Sequence, residues 1–324
     1  MPTSTSPRFA GSTRGLGIAV LSAASFGTSG TFATSLIDSG WSPAAVVTAR
    51  LLIAALALTI PALRVMRGRW AAAAPATRPI LAYGVIAVAG SQLCYFNAVQ
   101  HLSVGIALLL EYLGTVLIVG WLWVRHGQRP HRLTMGGAVV VMAGLALMLG
   151  ISGHQHVDLV GLVWGAGAAV GLATYFVLSA DVDDAVPPIA MAWSAMVIGS
   201  VCLLLLGITG VLPIHVVTGD VILADRRTSW LVPVLGLSLI AAAFAYASGI
   251  AAARVLGAKL ASFVGLSEVL FAVLFAWVLL GQHLGALQLA GGALVLAGVA
   301  IVRAGDVPAA VEHSGAEPVL TGVA

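Results

Sequence analysis

The chain contains one of its own segments twice. Residues 121–148 read WLWVRHGQRPHRLTMGGAVVVMAGLALM, and residues 275–302, which lie 154 positions further on, read FAWVLLGQHLGALQLAGGALVLAGVAIV. Between Ala98 and Ala146, compared with Ala252 to Ala300, the same offset covers 49 positions, of which 14 are identical. Chance would give roughly a tenth in so biased a composition, so we interpret the match as an internal repeat.

The composition restricts where such a repeat can fold. Hydrophobic residues make up 60% of the chain and charged residues only 8%. In a typical soluble domain, about a quarter of all residues are charged. Cys94 and Cys202 both lie inside apolar runs, which gives no disulfide framework. These features predict a membrane protein.

Apolar segments of spanning length are bounded by Arg, Pro, Gly or His. There are ten, near residues 15–36, 44–63, 79–100, 104–124, 133–151, 158–180, 187–208, 230–252, 259–280 and 285–303. Backbone polar groups find no partners in hydrocarbon, so the segments should be helices. The predicted fold class is an all-α membrane protein with ten transmembrane helices.

The ten segments divide into two halves of five. We expect a disordered cytoplasmic tail over residues 1–14, a first five-helix repeat over 15–151, a second over 158–303, and another disordered cytoplasmic tail over 304–324.

The cations predict the orientation of the chain. With the N-terminus in the cytoplasm, only Arg226 and Arg227 fall in outer loops, and Arg50 lies within a helix. The other twelve fall inside: Arg8, Arg14, Arg64, Arg67, Arg69, Arg78, Arg125, Arg129, Arg132, Arg254, Lys259 and Arg303. This bias predicts that both termini are cytoplasmic. Because five is odd, the second repeat then enters the membrane in the opposite sense, and inverted repeats are typical of secondary transporters.

The ends of both repeats carry a family resemblance. The first reads NAVQHLSVGIALLLEYLGTVLIVGWLWVRHGQ, and the second reads AAARVLGAKLASFVGLSEVLFAVLFAWVLLGQHL, followed by GGALVLAGVAI. These segments resemble EamA-type carriers of the drug/metabolite transporter superfamily. The resemblance implies two five-helix domains and export of threonine, homoserine or other small metabolites across the bacterial inner membrane. The family usually has a proline where this chain has Thr115 and Val269.

Three ionisable residues lie inside predicted helices: Glu268, Glu111 and Arg50. Each such group costs about 2.5–3.5 kcal/mol at a helix centre on insertion scales, so it seldom persists without a partner or a purpose. A carboxylate here can bind a substrate ammonium or exchange a proton; alternatively, it is a neutral group bonded to a neighbouring helix. Arg50 can hold a substrate carboxylate, pair with Glu111, or extend to the outer interface.

Polar and aromatic residues form a second group of candidates. In similar carriers the cavity is walled by helices one, three, four, six, eight and nine. The resemblance therefore implies a lining that contains Gln92, Tyr95, Glu111, Tyr175, Tyr246 and Glu268. Trp193, in the seventh helix, is a further candidate, and each of these side chains can equally be a packed, satisfied one.

Other motifs give only weak evidence for a metal site or an enzyme activity. HQHVD, with His154, His156 and Asp158, lacks a further clear metal ligand, and DVDD, with Asp181, Asp183 and Asp184, lacks the second acidic cluster of a prenyltransferase. No P-loop occurs. No enzyme activity, metal or cofactor is expected.

The sequence therefore favours a secondary transporter of the cytoplasmic membrane, proton-linked or facilitative, that exports small metabolites, with amino acids first. Two alternatives remain, namely efflux of lipophilic cations or drugs, and a non-transporting membrane enzyme or assembly subunit. The expected partners are a small-molecule substrate and the lipid bilayer. A homodimer is considered, and no nucleic acid is expected, because the formal charge of +3 reflects topology.

Overall fold

The computed structural model describes residues 7–102, 104–127, 129–148, 158–181, 185–280 and 285–306. The helices of the first half are α1 (Pro7–Gly27), α2 (Ser29–Asp38), α3 (Pro43–Met66), α4 (Trp70–Ala73), α5 (Thr77–Ala82), α6 (Ser91–His101), α7 (Val104–Tyr112), α8 (Gly114–His126) and α9 (Arg132–Met148). A 3₁₀ turn at Ala74–Ala76 joins α4 to α5. Because α1 begins at Pro7, residues 7–14 are helical, although the sequence predicted a tail there.

The second half has fewer, longer helices. They are α10 (Leu159–Asp181), α11 (Pro188–Ile208), α12 (Leu231–Leu235), α13 (Ala245–Gly265), α14 (Ser267–Leu280) and α15 (Ala286–Asp306). Gly257 lies inside α13 with φ 77° and ψ 159°, a conformation that glycine adopts without strain, so the chain changes direction there. Residues 307–324, most of the predicted C-terminal tail, lie outside the described residues.

Seven described helices are long and apolar enough to cross a membrane: Thr13–Asp38, Pro43–Met66, Trp70–Tyr95, Ala107–Arg125, Leu159–Asp181, Pro188–Ile208 and Leu231–Gly265. Two shorter apolar helices, Arg132–Leu147 and Leu289–Val302, fall below that length. The protein is therefore a helical, multi-pass membrane protein, as the composition predicts.

Both halves contain a π-helical stretch at matching positions. The stretches are Tyr83–Gly90, between α5 and α6, and Gly236–Phe244, between α12 and α13. The offset of the sequence repeat maps the first onto 237–244. Each stretch also ends alike, because the backbone N–H of Ser91 and that of Ala245 each donate to a carbonyl five residues back. The repeat is thus present in local backbone geometry, and π-helical turns often occur at functional sites.

The repeated glycines bring α9 and α15 into backbone contact. A Cβ on Gly137 would lie 2.8 Å from the carbonyl oxygen of Gly298, and one on Gly144 would lie 2.8 Å from that of Gly291. Since the earlier glycine of each helix meets the later glycine of the other, the two helices run antiparallel. These repeated glycines therefore join the two repeats.

The fourth and ninth predicted helices both break without a proline. α7 ends before Leu113, and α13 ends before Leu266. Thr115 Oγ1 donates to the carbonyl of Tyr112 at 2.9 Å, and Ser267 Oγ donates to that of Val264 at 2.7 Å. Such back-bonding competes with the helical pattern and bends helices, so hydroxyls accompany the break here.

A β-hairpin follows α11, where the all-α prediction had only a loop. Strand β1 (Asp220–Leu223) pairs antiparallel with β2 (Arg226–Ser229). The two turn residues, Ala224 and Asp225, both have positive φ, as the tightest hairpin turns require. The strands are four residues long and the turn lacks glycine, so little in the sequence marks them.

Candidate functional site

A cavity of about 710 Å³ lies where the two repeats meet. Residues of α1, α2 and α3 line it together with α6 and α7 from the first repeat, and α10, α13 and α14 complete the wall. Of the eight residues that the sequence proposed, seven are in this lining: Arg50, Gln92, Tyr95, Glu111, Tyr175, Tyr246 and Glu268. Helices far apart in sequence therefore bring nearly all the candidates to one space.

The two carboxylates differ in their surroundings. Glu111 lies on α7, one residue before that helix ends, and the Ser91 hydroxyl is within hydrogen-bonding reach of its side chain. Glu268 lies in the first turn of α14 and, among the described residues, has no hydrogen-bond partner. Both side chains are half-buried and face the cavity. A bound ligand or a proton is thus free to interact with either acid.

Arg50 is the counter-charge of this cavity. Its side chain is buried, with 8% exposed, and it interacts electrostatically with both Glu268 and Glu111. Within the described part of the chain it forms no ion pair with either acid. Its Nη2 donates to the carbonyl oxygen of Ala241 at 2.7 Å, and its Nη1 donates to Ser29 Oγ at 3.3 Å. Two acids therefore share the electrostatic field of one cation, and that cation already donates hydrogen bonds to Ser29 and Ala241.

Aromatic rings form one wall of the cavity. The ring of Tyr246 meets Phe26 edge-on at 5.0 Å between centroids and meets Tyr175 edge-on at 5.5 Å. The Tyr175 hydroxyl is buried and has no hydrogen-bond partner among the described residues. A buried polar atom without a partner costs free energy, so this hydroxyl is a candidate for contact with a ligand or an ordered water.

Trp193 does not belong to the cavity. Its indole Nε1 donates to Thr59 Oγ1 at 3.0 Å, and its ring lies 6.4 Å from that of Trp70. The sequence placed it correctly in a helix but could not tell which face of that helix meets the substrate space. The location favours its alternative interpretation, a packed and satisfied side chain.

Ser91 and Phe26 are among the lining residues that were not singled out from the sequence. Ser91 adjoins the candidate Gln92, and nothing local distinguishes it. Phe26 lies four residues after Ser22 and three before Ser29, and both serines also line the cavity. That spacing puts the three residues on one helical face, which is a signal the sequence did offer.

Outside the cavity, one ion pair joins the two repeats. His101 Nδ1 lies 2.8 Å from Asp158 Oδ2 at the surface. The backbone N–H of Val160 and then His101 hold the pKa of Asp158 below its usual range. His154 and His156, with Asp183 and Asp184, lie outside the described residues.

Within the described ranges, no group of three or more His, Cys, Asp or Glu residues is placed to hold a metal ion.

Two helical repeats around a cavity that holds three ionisable side chains, in an apolar chain, are the features of a membrane transporter. The model of the EamA-like transporter family matches residues 13–150 and 159–304, so the chain belongs to the EamA-like transporter family. This family consists of transporters rather than enzymes. A search among curated proteins finds no match.

The fold is also found among solved structures. One crystal structure of a protein superposes on this chain with a TM-score of 0.71. The superposition covers 89% of this chain and 96% of the other chain. Its sequence is 18% identical, so the likeness concerns the fold alone.

Proposed function

We propose that the protein is a secondary active transporter that exports small metabolites, amino acids first, across the cytoplasmic membrane by alternating access. The observation that supports this most is the meeting of Glu111, Glu268 and Arg50 in one cavity between the repeats. A zwitterion offers an ammonium group for a carboxylate and a carboxylate group for the guanidinium. Tyr175 and Tyr246 would contact its side chain.

Ten crossings, with both termini in the cytoplasm, are part of the proposal. The seven long spans and two shorter apolar helices make nine. The Leu231–Gly265 segment turns at Gly257, and its second part continues into α14, which makes ten. Such a count agrees with the distribution of arginines and with the antiparallel contact of α9 and α15.

Proton coupling would use one of the acids. In the proposed cycle, Glu268 or Glu111 takes a proton from the outside and releases it inward as substrate leaves. Glu268 is the first choice, because no described side chain or backbone group bonds its carboxyl. A carboxyl that exchanges with solvent through the cavity can be neutralised without breaking an existing contact.

Purified protein in liposomes tests this proposal. We expect a panel of labelled amino acids to include one whose transport is stimulated by an imposed pH gradient, and we expect Glu268→Gln to lose that stimulation. Arg50→Lys, which keeps the charge but not the paired geometry, should weaken substrate binding while retaining the response to the gradient. Equal transport with and without the gradient, together with normal transport by Glu268→Gln, would reject coupling through Glu268.

Efflux of lipophilic cations is the second candidate. It is favoured by the excess of acids over Arg50 and by the rings of Phe26, Tyr175 and Tyr246, which suit a cation over an aromatic face. Resistance to toxic cations in an expression host, without amino-acid transport in liposomes, would select this function. A homodimer is compatible with either function.

A further inference from the structure

The repeat relates α1 and α2 to α10 as well. With an offset of 144, the positions that are identical include Gly17 and Gly161, Gly27 and Gly171, Phe32 and Phe176, and Ser35 and Ser179. The packing agrees with this register. α1 packs on α13 as α10 packs on α6 and α7, and α1 packs on α14 as α10 packs on α8. The two halves of the molecule can therefore be compared contact by contact.

One set of contacts breaks the equivalence. α13 packs on α10 and on α11. The corresponding neighbours of α6 are α1, α2 and α3, and no comparable packing joins α6 to them within the described residues. The cavity occupies that place instead, lined by Gly30, Thr34 and Ile37 on one side and by Gln92 and Tyr95 on the other.

The contact of α10 with α13 is closed by two aromatic side chains that rest on glycines. A Cβ on Gly249 would overlap the Tyr175 hydroxyl, and one on Gly265 would lie 2.9 Å from Cζ of Phe176. Both rings are buried, with 6% and 8% exposed. α11 and α13 meet beside them, where Arg254 of α13 approaches the sulfur of Met191 of α11 at 3.8 Å. This end of the cavity is sealed.

The equivalent ring, Phe32, is not part of the cavity lining. Phe32 lies against Gly236, where a Cβ would be 2.6 Å from its Cζ. The packing of α2 on the second π-helical stretch corresponds to the packing of α10 on the first one, so both halves of the molecule have this type of contact. Thr34 is exposed along the cavity, whereas its counterpart Leu178 is partly buried and does not line it.

We propose that the structure is the outward-facing state of the transporter, and that Tyr175 and Phe176 form its cytoplasmic gate by closing on Gly249 and Gly265. The inference rests on the proposed function and on the cytoplasmic side that the arginines assign. In the inward-facing state, α13 loses its packing on α10 and α11, and α6 gains the corresponding packing on α1, α2 and α3. This exchange follows because an inverted repeat makes the two conformations mirror one another. Phe32 then approaches Glu111, the counterpart of Gly265 under the 154-residue offset.

Cysteine labelling tests the gate without a known substrate. In a background where Cys94 and Cys202 are alanine, Thr34→Cys and Leu178→Cys are labelled with an impermeant maleimide in right-side-out and inside-out vesicles. We expect rapid labelling of Thr34→Cys from outside and slow labelling of Leu178→Cys from the cytoplasmic side. Phe176→Ala should raise the Leu178→Cys rate by about tenfold or more and lower that of Thr34→Cys, because truncation removes a large buried contact from one state only.

Phe32→Ala is the matched control. It also removes a ring that rests on a glycine, but it should not raise labelling of Leu178→Cys. If Phe176→Ala does not fold, Gly265→Ala and Gly236→Ala form the second pair, since each displaces one of the same two rings. Labelling of Leu178→Cys that equals that of Thr34→Cys before any gate substitution, or that does not respond to loss of the Phe176 contact, overturns the gate.

The outcome separates this inference from the proposed function. Protein that transports but labels freely at Leu178→Cys loses the gate alone. Protein that labels as expected but moves no substrate in liposomes loses the transport proposal, while the closed end and its two rings stand.

Discussion

Arg50 of α3 donates a hydrogen bond of 2.7 Å to the carbonyl oxygen of Ala241 in the second π-helical stretch. In an α-helix the N–H of Ala245 would take that carbonyl, but here it bonds to Ile240, five residues back. The side chain thus supplies a donor where the backbone pattern shifts. When the starts of α3 and α11, Pro43 and Pro188, are aligned, the counterpart of Arg50 in the second repeat is Ala195. Only one half of the molecule therefore has this bond.

Arg50→Ala should lower the stability of the protein by about 1–3 kcal/mol, because it leaves a buried carbonyl without its charged donor. The measurement is thermal unfolding in detergent. Ser29→Ala, which removes only the longer contact of 3.3 Å, should cost less. Equal melting temperatures for the wild type and Arg50→Ala would contradict a structural role for the guanidinium.

Glu111→Gln should favour the inward-facing state. There, Phe32 would cover position 111, and a neutral amide costs less to bury under an aromatic ring than a carboxylate does. Faster labelling of Leu178→Cys in inside-out vesicles is the expected result. Glu268→Gln serves as the control. The counterpart of Glu268 is Gly114, and the exchange of contacts between the two states brings no aromatic ring to Glu268. A faster rate in both variants would mean that loss of charge alone, and not the ring contact, shifts the state.

Gly137→Ala should destabilise the protein by about 1–3 kcal/mol, since its new methyl group would meet the backbone of α15 and neither helix can retreat without loss of packing. Gly136→Ala, at the next position, meets nothing within 4 Å and should be neutral or slightly stabilising. Melting temperatures of the two variants, measured side by side, check the prediction. Indistinguishable values would argue against close contact of α9 and α15.

Trp193→Phe should reduce stability by about 1 kcal/mol through loss of the hydrogen bond to Thr59. Substrate affinity should stay unchanged, because the indole is outside the cavity lining. Binding and thermal unfolding measured on the same preparation separate the two effects. A change in affinity larger than the change in stability would return Trp193 to the binding site.

Asp158→Asn should lower the melting temperature only at pH values above the lowered pKa of Asp158. A carboxyl whose folded-state pKa is lowered contributes stability that is present above its unfolded pKa and is lost as pH falls through the folded value. The difference in melting temperature between wild type and Asp158→Asn should therefore be largest near neutral pH and disappear in acid. The group is exposed, so the effect should be small and should shrink in salt.

The all-helical membrane fold and the repeat were predictable from the sequence, and so was the choice of Glu111, Glu268 and Arg50 as candidates for the site. A charge inside an apolar helix stands out against its neighbours, and lipid excludes it, so it must turn inward. Trp193 and Phe26 show where this reasoning stops. Both are large apolar residues in apolar helices, and their composition does not reveal which of them meets the cavity.

The sequence by itself determined that this protein lies in a membrane, that its helices form two copies of one unit, and that three ionisable residues lie within those helices. The tertiary structure alone decided which helix faces meet: α9 against α15 through repeated glycines, α10 against α13 at the sealed end, and Arg50 against the π-helical stretch. The physical reason is that helices in lipid are apolar on every side. The contrast between polar and apolar faces that would predict packing in water is missing, so shape complementarity between small and large side chains takes over.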